Sequence, residues 1–344
     1  MSLSYLLLAS CITQFDFEAE SDKVLLVVDG IITQKGQPHD IFLSYSSEYG
    51  KFVRKPIRGA NVMLYDGQFN SEVLYEVDPG RYTFFGGSVK CIPGRSYYIE
   101  IKLPNGKTYQ STPQVMPHMI RPNFVEHKIE TIEEINTYGN VVENSFVNLY
   151  INTPISSDGQ NGYLLWRLDE VYSFTELICS PLKNPWVCYV KRQIRDDEIK
   201  IFSSDELEGG TLSDYQIGSI PIFPDWEFFE KRAYNVAQHT ISKQAYDYWN
   251  KVKIIATPTG SIFDVPPAPI KGNIYNINDP EEEVLGFFEV SMVDTVRTFT
   301  YGALFDGIAI TDKCDPYNWR TRSDPACCNC LTLENSDLDR PYYW

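Results

Sequence analysis

Eight cysteines and four histidines carry this chain's capacity for nucleophilic, redox and metal chemistry, and their spacing decides which of these it can support. An enzyme needs a nucleophile, a base and an orienting group. The histidines are His39, His118, His127 and His239; His39 sits in a turn after Pro38 and His118 follows Pro117, which predicts surface residues rather than general bases. No G-x-S-x-G, H-E-x-x-H, G-x-G-x-x-G or phosphate-loop pattern occurs. Gly302 to Gly307 lacks both the spacing and the lysine of a phosphate loop. Asp205-Glu206 with Glu208, and Glu281-Glu282-Glu283, read as solvated acidic loops ahead of acid/base pairs or calcium ligands. The expectation is a non-enzymatic protein without cofactor or metal, with a hydrolase ranked last among the alternatives.

The cysteines read as structural. Cys314 and the run Cys327-Cys328-Asn329-Cys330 lack the C-x-x-C or Cys/His spacing of a zinc site, and no histidine follows His239. Two disulfides are expected among these four, in any of three connectivities. Adjacent Cys327 and Cys328 point in different directions, so they are expected to staple the tail at two separate places. Cys179 and Cys188 flank Ser-Pro-Leu-Lys-Asn-Pro-Trp, a loop that a bond between them would close. Cys91 is then the free thiol.

Cys11 has a different chemistry. The apolar run Leu6-Leu7-Leu8 leads into the small residues Ala9-Ser10 and then Cys11, the pattern of a bacterial lipoprotein signal ending in a lipobox. Residues 1–10 are read as the signal peptide, Cys11 as the acylated lipid anchor, and residues 11–22, with Asp16, Glu18, Glu20 and Asp22, as an acidic tether. This predicts a protein tethered to a membrane surface without spanning it. The net charge of −16 repels nucleic acid, and no apolar stretch reaches the roughly 20 residues of a spanning helix.

Short β runs separated by turns must position these groups. Lys23 to Ile32 reads as a buried strand, while Ile41, Leu43 and Tyr45, then Ala60, Val62 and Leu64, alternate with period two. Asn105-Gly106 between β segments signals a hairpin. The expectation is a mainly β protein: an N-terminal immunoglobulin- or transthyretin-like sandwich over residues 23–115, then a β-rich domain over 123–344. The second domain contains one prominent helix, 242–253. Ser242 caps it, and Ala245, Tyr248, Trp249 and Val252 make its apolar stripe.

The blocks Leu26-Val27-Val28-Asp29-Gly30-Ile31-Ile32, Ala245-Tyr246-Asp247-Tyr248-Trp249, Ile270-Lys271-Gly272-Asn273-Ile274-Tyr275-Asn276 and Val284-Leu285-Gly286-Phe287-Phe288, with Cys327-Cys328-x-Cys330 and the aromatic end at Trp344, resemble a family of Bacteroidota lipoproteins known as domain of unknown function 4249. The resemblance implies an outer-membrane lipoprotein, directed to the extracellular face by a tether like Asp16, Glu18, Glu20 and Asp22, that partners a TonB-dependent barrel, and it carries over no catalytic residue. The alternative is an independent surface binder of glycans or proteins. Either role needs exposed aromatics, and the candidates are Trp186, Trp226, Tyr342, Tyr343 and Trp344, which sit among turn residues or at the terminus.

Overall fold

A computed structural model describes residues 24–36, 38–47, 54–157, 159–182, 184–194, 199–206, 210–223, 226–257, 269–302, 308, 310, 314 and 324–344. The lipobox, the anchor Cys11 and the acidic tether lie outside the described residues.

The expected alternation builds the N-terminal half. Strands β1 (Leu26–Thr33), β2 (His39–Tyr45), β3 (Asn61–Asp66), β4 (Ser71–Asp78), β5 (Arg81–Phe84), β6 (Ser96–Lys102) and β7 (Thr108–Ser111) form two layers. Val28, Ile32, Ile41 and Leu43 of one layer meet Val62, Leu64, Ile99 and Ile101 of the other in a single core. The corner strand is β4, which pairs with β3 through Ser71–Leu74 and with β5 through Tyr75–Asp78. The turn between β6 and β7 closes through Leu103 and Lys107, with Gly106 at φ +87° as the Asn-Gly pair requires.

The C-terminal half contains β8 (Phe124–Ile135), β9 (Val141–Pro154), β10 (Tyr163–Thr175), β11 (Val187–Gln193), β12 (Thr211–Ile222) and β13 (Arg232–Ile241). Helix α1 (Lys243–Ala256), β14 (Ile274–Asn276), β15 (Val284–Thr300) and the two-residue β16 (Ser336–Asp337) follow. A three-stranded sheet, β8-β9-β12, packs on β10 and β13, with Val147, Leu149, Ile151 and Ile217 against Leu164, Trp166, Tyr234 and Val236. Mainly β architecture, sandwich-like sheets, one α-helix among the described residues and disulfides near the C-terminus are therefore the fold.

Strand β15 joins the two halves. Val284 to Ser291 runs parallel to β1, and Met292 to Thr300 runs antiparallel to β13. Its Phe288 and Val290, with Ile274 of β14, complete the first core. The first core therefore draws on Ile274, Val284, Phe288, Val290 and Met292 as well as on residues of the N-terminal strands.

Helix α1 is capped as its sequence requires: Ser242 Oγ accepts from Ala245 N at 3.1 Å. It runs three residues past the expected end, to Ala256. Ala245 buries against Leu165, Ile201, Ile241 and Phe287, Tyr248 stacks on Phe287 at 4.8 Å, and Trp249 Nε1 donates to Glu289 Oε2 at 2.7 Å. Glu289 is buried, and burial pushes its carboxyl above the ordinary value.

Two expectations about isolated side chains change. His39 opens β2 as a buried residue facing Phe84, and burial lowers its pKa, because its position in the period-two pattern turns it to the core. Only His118 of that pair is exposed. Glu282 is more than a solvated loop residue, since it accepts from Lys107 Nζ, Tyr109 OH and Asn276 Nδ2 and ties β7 to the loop before β15.

Candidate functional site: a disulfide-clamped loop and a groove beneath the C-terminal tail

All six expected cysteines are bonded, and among the described residues Cys91 is the free one, its thiol pushed up to about 11 by burial. The pairing differs from expectation. Cys179 bonds Cys328, Cys188 bonds Cys330, and Cys314 bonds Cys327. A Cys179–Cys188 bond has no loop base left to close, because Thr175 pairs with Val187, Glu176 N donates to Trp186 O at 2.9 Å, and Cys188 turns inward opposite Phe174. The two cysteines reach the tail instead, while Cys327 and its neighbour Cys328 staple it at two places, as their adjacency predicts.

Sequence reasoning missed Glu176, a single carboxylate just past the end of β10. It is buried, and its Oε1 accepts from Cys330 N at 2.9 Å while Oε2 accepts from Trp186 N at 3.1 Å. One side chain thus fastens both the loop and the tail. Held this way, the loop presents Leu182, 97% exposed, and Trp186, 40% exposed, together with Ile178. Fixing these apolar groups in advance reduces the entropy lost when a partner covers them.

An open groove of about 1000 Å³ runs between β10, β11 and β12, with Pro341, Tyr342 and Tyr343 along one side. Its back wall is charged. Arg232, fully buried on β13, forms an ion pair with Glu170 on β10 and donates through Nη2 to Glu227 O at 2.7 Å. Its guanidinium lies 4.0 Å from the centre of the Phe228 ring. Arg192 on β11 bridges the carboxylates of Glu170 and Glu227 at 2.7 Å each. Burial opposes its charge, yet these two carboxylates hold its pKa above the ordinary arginine value. Tyr172, buried nearby, has its hydroxyl raised by burial and by the charge of Glu227.

A second polar chain fixes the tail. Arg297 Nε donates to Asn235 Oδ1 at 2.7 Å, and Asn235 Nδ2 donates to Asp169 Oδ1 at 2.6 Å and to Tyr343 OH at 3.2 Å. Arg297 Nη2 donates to Tyr342 OH at 2.9 Å. Trp344 lies edge-on to Tyr189 at 5.2 Å, with Lys231 Nζ 4.6 Å from its ring centre.

The expected aromatics thus separate. Tyr342 is 89% exposed at the groove, Tyr343 and Trp344 are partly buried contacts of the tail, and Trp186 belongs to the clamped loop. Trp226 opens a short 3-10 turn, Trp226–Phe228, whose Glu227 and Phe228 line the groove. None of Arg192, Glu170, Arg232 or Asn235 stands out in the sequence, since each is an ordinary polar residue within a strand pattern. Among the described residues no helix is long and apolar enough to cross a membrane.

No curated protein matches the chain. The disulfide-clamped tail lies C-terminal to the stretch that a family profile recognises. That profile, described as Domain of unknown function (DUF4249), matches residues 12–297, and the chain belongs to this family.

Proposed function

We propose that this chain is a non-enzymatic cell-surface lipoprotein, anchored to the outer membrane through Cys11, that serves a TonB-dependent barrel as an accessory partner in nutrient capture. The lipobox and acidic tether support the address, and the resemblance on which the family rests supports the company. The observation that carries the interaction reading is the clamped loop, where two disulfides and Glu176 hold exposed Leu182 and Trp186 in place. A stable interface buries about 1,200–2,000 Å², with aromatic residues prominent at its centre. Trp186 suits that position.

Mild-detergent purification of the tagged, acylated chain, followed by mass spectrometry, tests this reading. The expected result is a TonB-dependent barrel recovered in near-stoichiometric amount, with recovery reduced by Leu182→Ser together with Trp186→Ala. Recovery of the chain alone under conditions that preserve other lipoprotein–barrel pairs counts against it. The second reading, an independent surface binder of glycans or proteins, is favoured by the open groove with Tyr342 at its edge.

A further inference from the structure

We propose that the groove beneath the C-terminal tail is a binding site for a neutral oligosaccharide. This rests on the capture reading for its biological role and deepens it by naming the class of nutrient, while the binding itself stands on the groove alone.

Charge supports a neutral ligand. The groove wall carries Asp169, Glu170 and Glu227 against Lys191 and Arg192, with Arg232 paired immediately behind them. Asp337 pairs with Lys191 at 2.6 Å and Arg297 lies by Asp169, so four acids meet four bases on a chain whose net charge is −16. An anionic or cationic ligand would find little uncompensated charge, and its desolvation would go unrepaid.

The remaining chemistry suits sugars. Tyr342 at 89% and Phe223 at 59% exposure offer ring faces for the apolar faces of pyranose rings. Gln193 and Asn335 place uncharged amides on the wall, and Asp169 and Arg192 add an acceptor and a donor. A sugar hydroxyl both donates and accepts, so it can use all four. These groups are held before any ligand arrives: Arg192 by Glu170 and Glu227, Asp169 by Asn235, Tyr342 by Arg297. The volume, about 1000 Å³, lies at the upper end of small-molecule sites and suits several sugar rings.

An extended peptide is the competing occupant, and the strand edges argue against it. β16 already pairs with Tyr189 and Val190 of β11, and Lys191 N donates to Asn335 O at 3.1 Å. On the facing edge strand, β12, Pro221 lacks the N–H that strand addition uses.

The test is calorimetric titration of the purified, detergent-solubilised full chain with maltohexaose, cellohexaose, xylohexaose and mannohexaose. Hexagalacturonate and a pool of unstructured decapeptides serve as competitors. The expected result is 1:1 binding of at least one neutral hexaose, weakened about tenfold or more by Tyr342→Ala and by Asp169→Asn and unchanged by Tyr138→Ser on the β8–β9 turn, which does not line the groove. Unchanged melting temperatures confirm that the variants fold. Three results overturn the proposal: no neutral hexaose binds, hexagalacturonate or peptide binds in preference, or binding is indifferent to both groove variants. Because no barrel is present in this assay, its failure leaves the partnership reading intact, and loss of the barrel from the purification leaves this one intact.

Discussion

Gly286 lies directly against the carbonyl oxygen of Val28, where a Cβ would stand only 1.9 Å from that oxygen. Its φ of +93° is also one that side-chain-bearing residues rarely adopt. Here β15 enters its parallel pairing with β1, and Gly272 crosses so closely that its own Cβ would meet the Gly286 oxygen at 1.6 Å. Three backbones therefore pass within a space that only glycine leaves open.

Gly286→Ala is expected to cost about 3 kcal/mol or more, since both the contact and the backbone angle oppose a Cβ. Gly36→Ala, at a glycine with nothing within 4 Å, should fall within about 0.5 kcal/mol of wild type. Urea denaturation of the two variants checks the contrast.

Non-reducing peptide mapping should recover Cys179–Cys328, Cys188–Cys330 and Cys314–Cys327, with Cys91 alkylating slowly because few of its thiols are ionised at neutral pH. The two long-range bonds close loops separated by 149 and 142 residues, but once one is formed the other closes only a short loop. Removing either alone should therefore cost about 2–3 kcal/mol, and removing both clearly more than twice that, on loop entropy. Additive losses would show that the two bonds act independently.

Glu170→Gln should destabilise the chain by about 3 kcal/mol, because it strips the buried Arg232 of its nearer carboxylate and leaves only Glu227 at 3.8 Å. The double variant E170L/R232M removes both charges and should recover most of that loss. Equilibrium unfolding in urea compares the three proteins.

Acid stability should depend on His239. Its ring is buried on β13, with Nδ1 3.0 Å from Ser291 Oγ, and burial lowers its pKa to about 3. The unfolded chain, with a histidine near 6.5, binds this proton more readily than the folded one. The resulting loss of stability begins as pH falls through 6.5 and continues to about 3, reaching about 2 kcal/mol at pH 5. Glu289, raised by burial, contributes the opposite slope above the ordinary carboxylate range. The difference between wild type and His239→Gln, measured at pH 7.5 and pH 5, isolates the histidine, and parallel behaviour of the two would exclude it as the source.

Labelled palmitate should enter the wild-type chain in cells and not Cys11→Ala. Protease added to intact cells should degrade the protein, and full protection would place it on the inner side of the outer membrane.

Local patterns in the sequence determine a large part of this molecule. Period-two alternation marks β1, β2 and β3, Asn105-Gly106 marks the β6–β7 turn, and Ser242 with the Ala245-Tyr248-Trp249-Val252 stripe marks α1. The set of bonded cysteines and the family are legible for the same reason, since residue type and short spacing carry them. Partnership between distant segments is not written in any local period. Cys179 and Cys188 flank one loop, yet backbone pairing from Thr175 to Val187 already closes that loop, so each cysteine is free to meet the tail. Likewise, only the folded sheet decides that the first half of β15 completes one sandwich and its second half the other. The groove is assembled from Glu170, Arg192, Glu227 and Tyr342, four residues on four separate segments, and tertiary packing alone brings their charges and rings together.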